Sequence, residues 1–410
     1  MTQTSPKPTS VLALVDAPQD LDALMPALDS REVTWVALTP HGLQALEKAR
    51  VRHIDINQFF SPDSLWEEVA EESPKRLDQL CFSVDSALQK QGFDGITLGY
   101  FKYHLSILFE SVMGRLHMVR AMLNQLSSAE LAFCSSPLSK EGFSFPNDDT
   151  LWGACTDLAF GKRTFLSLER SSALPPNASI IGRTKRRAKS VLRSSLAIDW
   201  YRSWKTLGLR NAAINFLRKK EIVMLGPCYE WDPTLSILCK NGWGITFKNS
   251  TSVTRSSRTQ ARLLWSKVNS HLLQDPYFRE PFLFHGIDFF PLISSHLDNI
   301  VHFGLSVRLS KEQKSMDKAK AILMAMADDG GKWLFLRPYR EKGVKVLVWP
   351  HGPTGFWYSE KSEAPALHMN VDQLLVYGDG AAKALNPIAR KGGFDLLAVG
   401  SSSLDNLMKG

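Results

Sequence analysis

The feature that most constrains this chain is a repeating unit: a short apolar run, a turn, then a segment with helical apolar spacing. VLALVD at 11–16 and VTWVAL at 33–38 open two such units. A shorter strand near His53–Ile56, a helix from about Pro62 to Lys90 and a buried strand over AELAFCSS, 129–136, continue the alternation. A sequence patterned in this way folds as α/β, with helices covering both faces of a parallel sheet. Tyr100–Leu126 carries apolar residues at helical spacing (Leu105, Leu108, Phe109, Val112, Leu116), which reads as a core stripe. Residues 137–180 are broken by Pro137, Pro146 and Pro175-Pro176 and read as loops.

A second series begins at Glu221. Ile222–Leu225 reads as a strand that breaks at Gly226-Pro227, with a helix opening at Pro233 behind Asp232 as N-cap. A strand at Gly244–Phe247 and a helix over Thr259–Leu273 follow, then a mostly helical stretch over 287–330. Four more strands are expected at Trp333–Leu336, Val344–Trp349, Gln373–Tyr377 and Phe394–Val399. At 410 residues the chain accommodates two ordinary domains. The expected division is an N-terminal Rossmann-like domain over 1–182, a basic helical linker over 183–220 and a C-terminal Rossmann-like domain over 221–410.

Charge marks the linker. Arg183–Lys220 holds twelve Lys or Arg against the single acid Asp199, or +11, so the rest of a chain whose total is +8 sums to −3. Trp200, Tyr201, Trp204, Leu207 and Leu209 interleave with these cations, the pattern of a peripheral helix on an anionic membrane. A solvated face between domains fits the same residues equally well. No recognised nucleic-acid motif accompanies the charge, and no nucleic-acid partner is expected. No window reaches the length of a membrane span, and the N-terminal segment lacks an export signal's basic and apolar regions. The expected setting is cytoplasmic, at most at the inner face of the membrane. Five cysteines without a CxxC, and no histidines at zinc-ligand spacing, point to reduced thiols and no metal.

Chemistry is expected where strands end. In open α/β sheets, ligands gather outside the carboxyl ends of the strands. Asp232 stands at such an end, with Glu230 two residues before it. Asp followed by Pro is also an ordinary helix cap, and the two roles are compatible: a helix N-terminus favours the ionised carboxylate that a nucleophile needs. Three later strands end in small or polar residues: Pro350-His351-Gly352, Gly378-Asp379-Gly380 and Gly400-Ser401-Ser402-Ser403. Glycine permits close backbone approach, and hydroxyls and amides at a helix start suit a phosphate. Such endings also serve as plain helix caps.

Two α/β halves, a basic segment between them, and His351-Gly352 with Ser401-Ser402 in the second half resemble a GT-B glycosyltransferase, in which two Rossmann-like domains face a central cleft. The latter pairs are similar to the His-Pro and Ser-Ser motifs with which bacterial sialyltransferases hold CMP, with His-Gly here in place of His-Pro. GPCYEWDP at 226–233 together with VLVWPHG at 346–352 resembles the retaining β-Kdo transferases of bacterial O-antigen and capsule synthesis. The resemblance implies transfer of Kdo from CMP-β-Kdo to a lipid-linked glycan by double displacement, without a metal or other cofactor. It places the nucleophile at Asp232 and the CMP contacts at His351, Gly352, Ser401 and Ser402, with Tyr377 and Gly378 along the same edge. Arg183 and Arg337 are candidates to hold the Kdo carboxylate. Enzymes of this family are often modular, so further catalytic modules are expected partners.

Two other readings compete. A transferase of the same architecture would use CMP-sialic acid or CDP-glycerol. A non-catalytic scaffold would use the +11 segment to hold a membrane or nucleic acid and would have no use for the strand ends of the second half.

Overall fold

In the computed structural model the residues described are 11–93, 97–126, 130–135, 148–160, 164–169, 196–226, 231–248, 253–310, 319–325, 330–349 and 371–401. In chain order the strands are β1 (Val11–Val15), β2 (Val33–Ala37), β3 (His53–Asp55), β4 (Glu130–Ser135), β5 (Thr164–Glu169), β6 (Lys220–Leu225), β7 (Gly244–Lys248), the hairpin pair β8 (Leu283–Phe284) and β9 (Ile287–Asp288), β10 (Ala321–Met324), β11 (Lys345–Val348), β12 (Gln373–Val376) and β13 (Asp395–Ala398). The chain is α/β, and each of its two large sheets is parallel throughout.

Residues 1–80, 105–174 and 272–299 form one compact unit, and 81–104, 175–271 and 300–410 form the other. The first unit holds a sheet in the order β3-β2-β1-β4-β5. Along β1, Leu12 and Leu14 pack on one face with Val36, Phe133 and Trp152. Val11 and Ala13 pack on the other with Leu24 and Leu28. That division of successive residues between two buried faces explains why β1 is a continuous apolar run. The same unit buries a cluster of rings in which Phe109 meets Phe282 and Phe289 at 5.7 and 5.3 Å.

The second unit holds the larger sheet, in the order β13-β12-β11-β10-β6-β7. Val223 and Leu225 of β6 face one core with Trp333, Leu336 and Tyr339. Ile222 and Met224 face the other with Trp231, Leu235 and Cys239. The helix after β6, Trp231–Lys240, and the helix after β10, Gly330–Arg340, therefore cover opposite faces.

Three sequence expectations need correction. Trp333–Leu336 is not a strand but part of the helix Gly330–Arg340, because Trp333, Leu336 and Tyr339 recur at a helical interval on one buried face. The strand of that region lies earlier, at Ala321–Met324, inside the stretch read as helical. Parts of 137–180 read as loops are instead the helix Asp148–Phe160 and the edge strand Thr164–Glu169, which pairs with β4. The rest of that stretch lies outside the described residues, as does 183–195 of the basic segment.

From 196 the basic segment forms two helices, Leu196–Leu207 and Leu209–Leu217, joined at Gly208 with φ 77°. Leu207 packs into the core shared with Ile222 and Trp231. Asn215 is buried against β7, where its amide donates to the Ile245 carbonyl at 2.9 Å and accepts from the Ile245 N–H at 2.7 Å. One side chain thereby occupies backbone groups on the open side of an edge strand, where unpaired N–H and C=O groups would invite another chain. Among the described cysteines, Cys81, Cys134, Cys155 and Cys239 are buried free thiols, and burial pushes Cys155 up to about 12.

Candidate functional site

The larger sheet reverses its direction of growth beside β6. β7 adds on one side of it, and β10, β11, β12 and β13 add in sequence on the other. At such a switch point the flanking helices leave to opposite faces, and a crevice opens at the carboxyl ends of the two central strands. Here those ends are Leu225 on β6 and Met324 on β10, which are neighbours in register.

Trp231 fixes the local geometry. Its indole is 3% exposed, its Nε1 donates to the Met324 carbonyl at 2.8 Å, and its ring meets Trp349 edge-on at 5.2 Å. The N–H of Trp349 donates to the same Met324 carbonyl at 2.9 Å. The ends of β10 and β11 and the start of the helix after β6 are thus tied to one oxygen. The sequence placed Asp232 as N-cap with Pro233 opening the helix. The helix starts instead at Trp231, so Asp232 and Pro233 both lie in its first turn. Docking of Trp231 accounts for the earlier start, and Pro233 is tolerated there because first-turn amides have no intrahelical acceptor.

Asp232 is half-buried. The Thr206 hydroxyl donates to its carboxylate and Lys205 lies close enough to favour its charge, but burial outweighs both and raises its pKa above the usual aspartate value. The expected net stabilisation of the ionised form is therefore corrected: desolvation disfavours the charge more than the neighbouring groups favour it. Thr206 and Lys205 were missed as site residues. Lys205 belonged to an undifferentiated basic run, and a single hydroxyl at a helix end carries no sequence signal.

At the same edge of the sheet, Tyr377 and Gly378 follow β12, and Ser401 follows β13 after Gly400. Tyr377 is half-buried and Ser401 buried. Gly226, Gly378 and Gly400, behind β6, β12 and β13, have φ of 73°, 142° and 74°, conformations that favour glycine. Gly378 is the N-cap of the helix Asp379–Gly392, whose dipole favours an anion while Asp379 in its first turn opposes one. β6 and β12 are three strand spacings apart, roughly 14 Å along the sheet edge, with β10 and β11 between them. An extended ligand lying along this edge would present one end to Asp232 and the other to Tyr377, Gly378 and Ser401.

Glu230, His351, Gly352 and Ser402 lie outside the described residues, as does Arg183. Arg337 is not brought to this edge. Its helix starts at the carboxyl end of the sheet and carries Arg337 back toward the other end, where its Nε donates to Glu341 at 2.9 Å. Among the described residues a possible metal-ligand cluster occurs in the other unit, at Glu68, His117 and His285. Their wide separation in sequence hid it from any spacing rule. Comparison of the chain with protein-family models, curated proteins and solved structures found no match.

Proposed function

We propose that this chain is a retaining glycosyltransferase of GT-B arrangement, moving Kdo from CMP-β-Kdo to a lipid-linked surface glycan. The observation that carries the reading is the position of Asp232: a half-buried carboxylate beside the switch point of a parallel sheet, on the same edge as Tyr377, Gly378 and Ser401. In the proposed reaction the ionised Asp232 attacks the anomeric carbon. The bond to the CMP phosphate oxygen breaks, and CMP leaves with the bonding pair. The acceptor hydroxyl then attacks the same carbon, the bond to Asp232 breaks with its electron pair returning to the carboxylate, and the hydroxyl proton passes to solvent. Two inversions at one carbon give net retention. Thr206 and Lys205 favour the ionised form of Asp232 against the opposing effect of its burial, and CMP lies toward β11–β13 with His351, Gly352, Tyr377, Gly378, Ser401 and Ser402 as its contacts. Glu230 orients the sugar.

The acceptor is proposed to arrive from a membrane surface. No helix among the described residues is long and apolar enough to cross a membrane. The helices over 196–217 nevertheless expose Tyr201, Trp204, Leu209, Phe216 and Leu217, beside the exposed cations Lys205, Arg210 and Lys219. The helix carrying Trp204 also carries Thr206, two residues on, so a lipid-facing surface would share one helix with the group bonded to Asp232.

Thermal melting with CMP, CDP and UDP tests the donor class. A ligand at about one hundred times its Kd stabilises the folded state by about 2.7 kcal/mol. CMP is expected to raise Tm more than UDP in wild type and in Asp232→Ala alike, because Asp232 touches the sugar and not the nucleotide. A larger shift with UDP would remove the CMP assignment.

A further inference from the structure

The first unit contains a convergence that the transfer reaction does not use. Glu68 lies on the helix Pro62–Gln89, His117 on the helix Lys102–Gln125, and His285 at the tip of the β8–β9 hairpin. The two carboxylate oxygens of Glu68 are divided between the imidazoles: His117 Nδ1 lies 2.8 Å from Oε2, and His285 Nε2 lies 3.1 Å from Oε1. The three ligand atoms all lie within 4.8 Å of one another.

The backbone at His285 is costly for what it holds. Its φ is 51° and that of Gly286 is 78°, the left-handed pair of a two-residue hairpin turn. Asn or Gly usually fills the first of these positions, and a histidine there gives up conformational energy. Arg120 anchors the turn by donating to the His285 carbonyl at 3.2 Å. The strained tip thus aims an imidazole at a carboxylate that already has another imidazole.

We propose that Glu68, His117 and His285 bind a divalent first-row transition ion, with Zn²⁺ the natural occupant. Two imidazoles and a carboxylate suit such an ion, whereas Mg²⁺ and Ca²⁺ prefer all-oxygen sets. Tetrahedral Zn²⁺ with bonds of about 2.0 Å needs ligand atoms about 3.3 Å apart, so the cluster adapts by small side-chain shifts. Burial holds the His285 pKa below the usual histidine value, ahead of the raising effect of Glu68, and this favours the neutral ring that a metal requires. In the metal-free cluster each ring places an N–H donor against Glu68. On binding, that proton moves through solvent to the other ring nitrogen, and the freed lone pair takes the ion. The three side chains are 20–34% exposed, which leaves a path for the ion and a coordination position for water. Two nearby cations oppose a dication, but Arg76 is engaged by Glu72 at 3.0 Å and by backbone carbonyls of β8 and its approach. The ion would clamp the hairpin to two helices of the first unit.

Tag-free, chelator-treated protein titrated with Zn²⁺ tests the site, with Co²⁺ as a spectroscopic probe. The expected result is one ion per chain, a rise in Tm, and the visible ligand-field bands of Co²⁺ bound to nitrogen and oxygen. Binding should weaken as pH is lowered, because protons compete with the ion for its ligands. Glu68→Gln, His117→Gln and His285→Asn should each lose it, and His285→Asn is the control for folding because Asn tolerates the left-handed turn. Absence of stoichiometric binding to wild type, or binding undiminished in His285→Asn with its metal-free melting curve intact, would overturn the proposal.

Discussion

At the scale of single residues, the consequential balance is the one around Asp232. Burial raises its pKa while the Thr206 hydroxyl and Lys205 lower it. A nucleophilic carboxylate works only when ionised, so activity should fall as pH falls through that raised value. Thr206→Val removes a bond to the ionised form and leaves the bulk in place. The acid limb of the kcat/KM profile should then move to higher pH, with the rate on the alkaline plateau kept within a few-fold, as read from initial rates across the pH range. The sign for stability runs the other way. A carboxylate whose folded pKa lies above its unfolded value costs stability once it is ionised and relieves that cost as pH falls. How far this site could be read in the sequence follows from the same residues. Asp232 announced itself by following an apolar strand, whereas Thr206 and Lys205 reach it through the packing of the helix Leu196–Leu207, which no local pattern encodes.

At the scale of elements, the strands that were legible are those framed by turns and rich in β-branched residues, such as Val11–Val15 and Lys345–Val348. Ala321–Met324 escaped because AILM is made of good helix formers and is buried on both faces, so it lacks the alternation that marks a half-exposed strand. Trp333–Leu336 failed in the opposite sense: a short apolar run read as a strand is one buried stripe of a helix. The switch point beside β6 depends on β10, so the topology of the site could not be assembled before that strand was placed. Asn215 makes an equally specific contribution that sequence hides. Asn215→Ala would leave the Ile245 N–H and C=O without this partner and should cost about 2–3 kcal/mol, measured by urea denaturation. A loss under about 0.5 kcal/mol would mean that water replaces the amide freely.

At the scale of the whole molecule, the charge asymmetry and the exposed rings of the same segment lead to one expectation. The chain carries +8, yet the residues outside 183–220 sum to −3. With Trp204, Phe216 and Leu217 exposed beside cations, the wild-type chain should float with vesicles containing anionic lipid and less with neutral ones. Trp204→Ser with Leu217→Ser should reduce flotation about tenfold or more while leaving the CMP-induced rise in Tm unchanged. Equal flotation with neutral and anionic vesicles would remove the electrostatic part of the proposal.

The most direct measurement of the proposed transfer is intact mass spectrometry, followed by peptide mapping, of protein mixed with CMP-β-Kdo in the absence of acceptor. The expected result is a Kdo adduct on the peptide containing Asp232 with release of one CMP per chain, both absent from Asp232→Ala, whose turnover should fall at least about 10³-fold. No adduct on wild type, together with near-normal transfer by Asp232→Ala, would contradict covalent catalysis at this carboxylate.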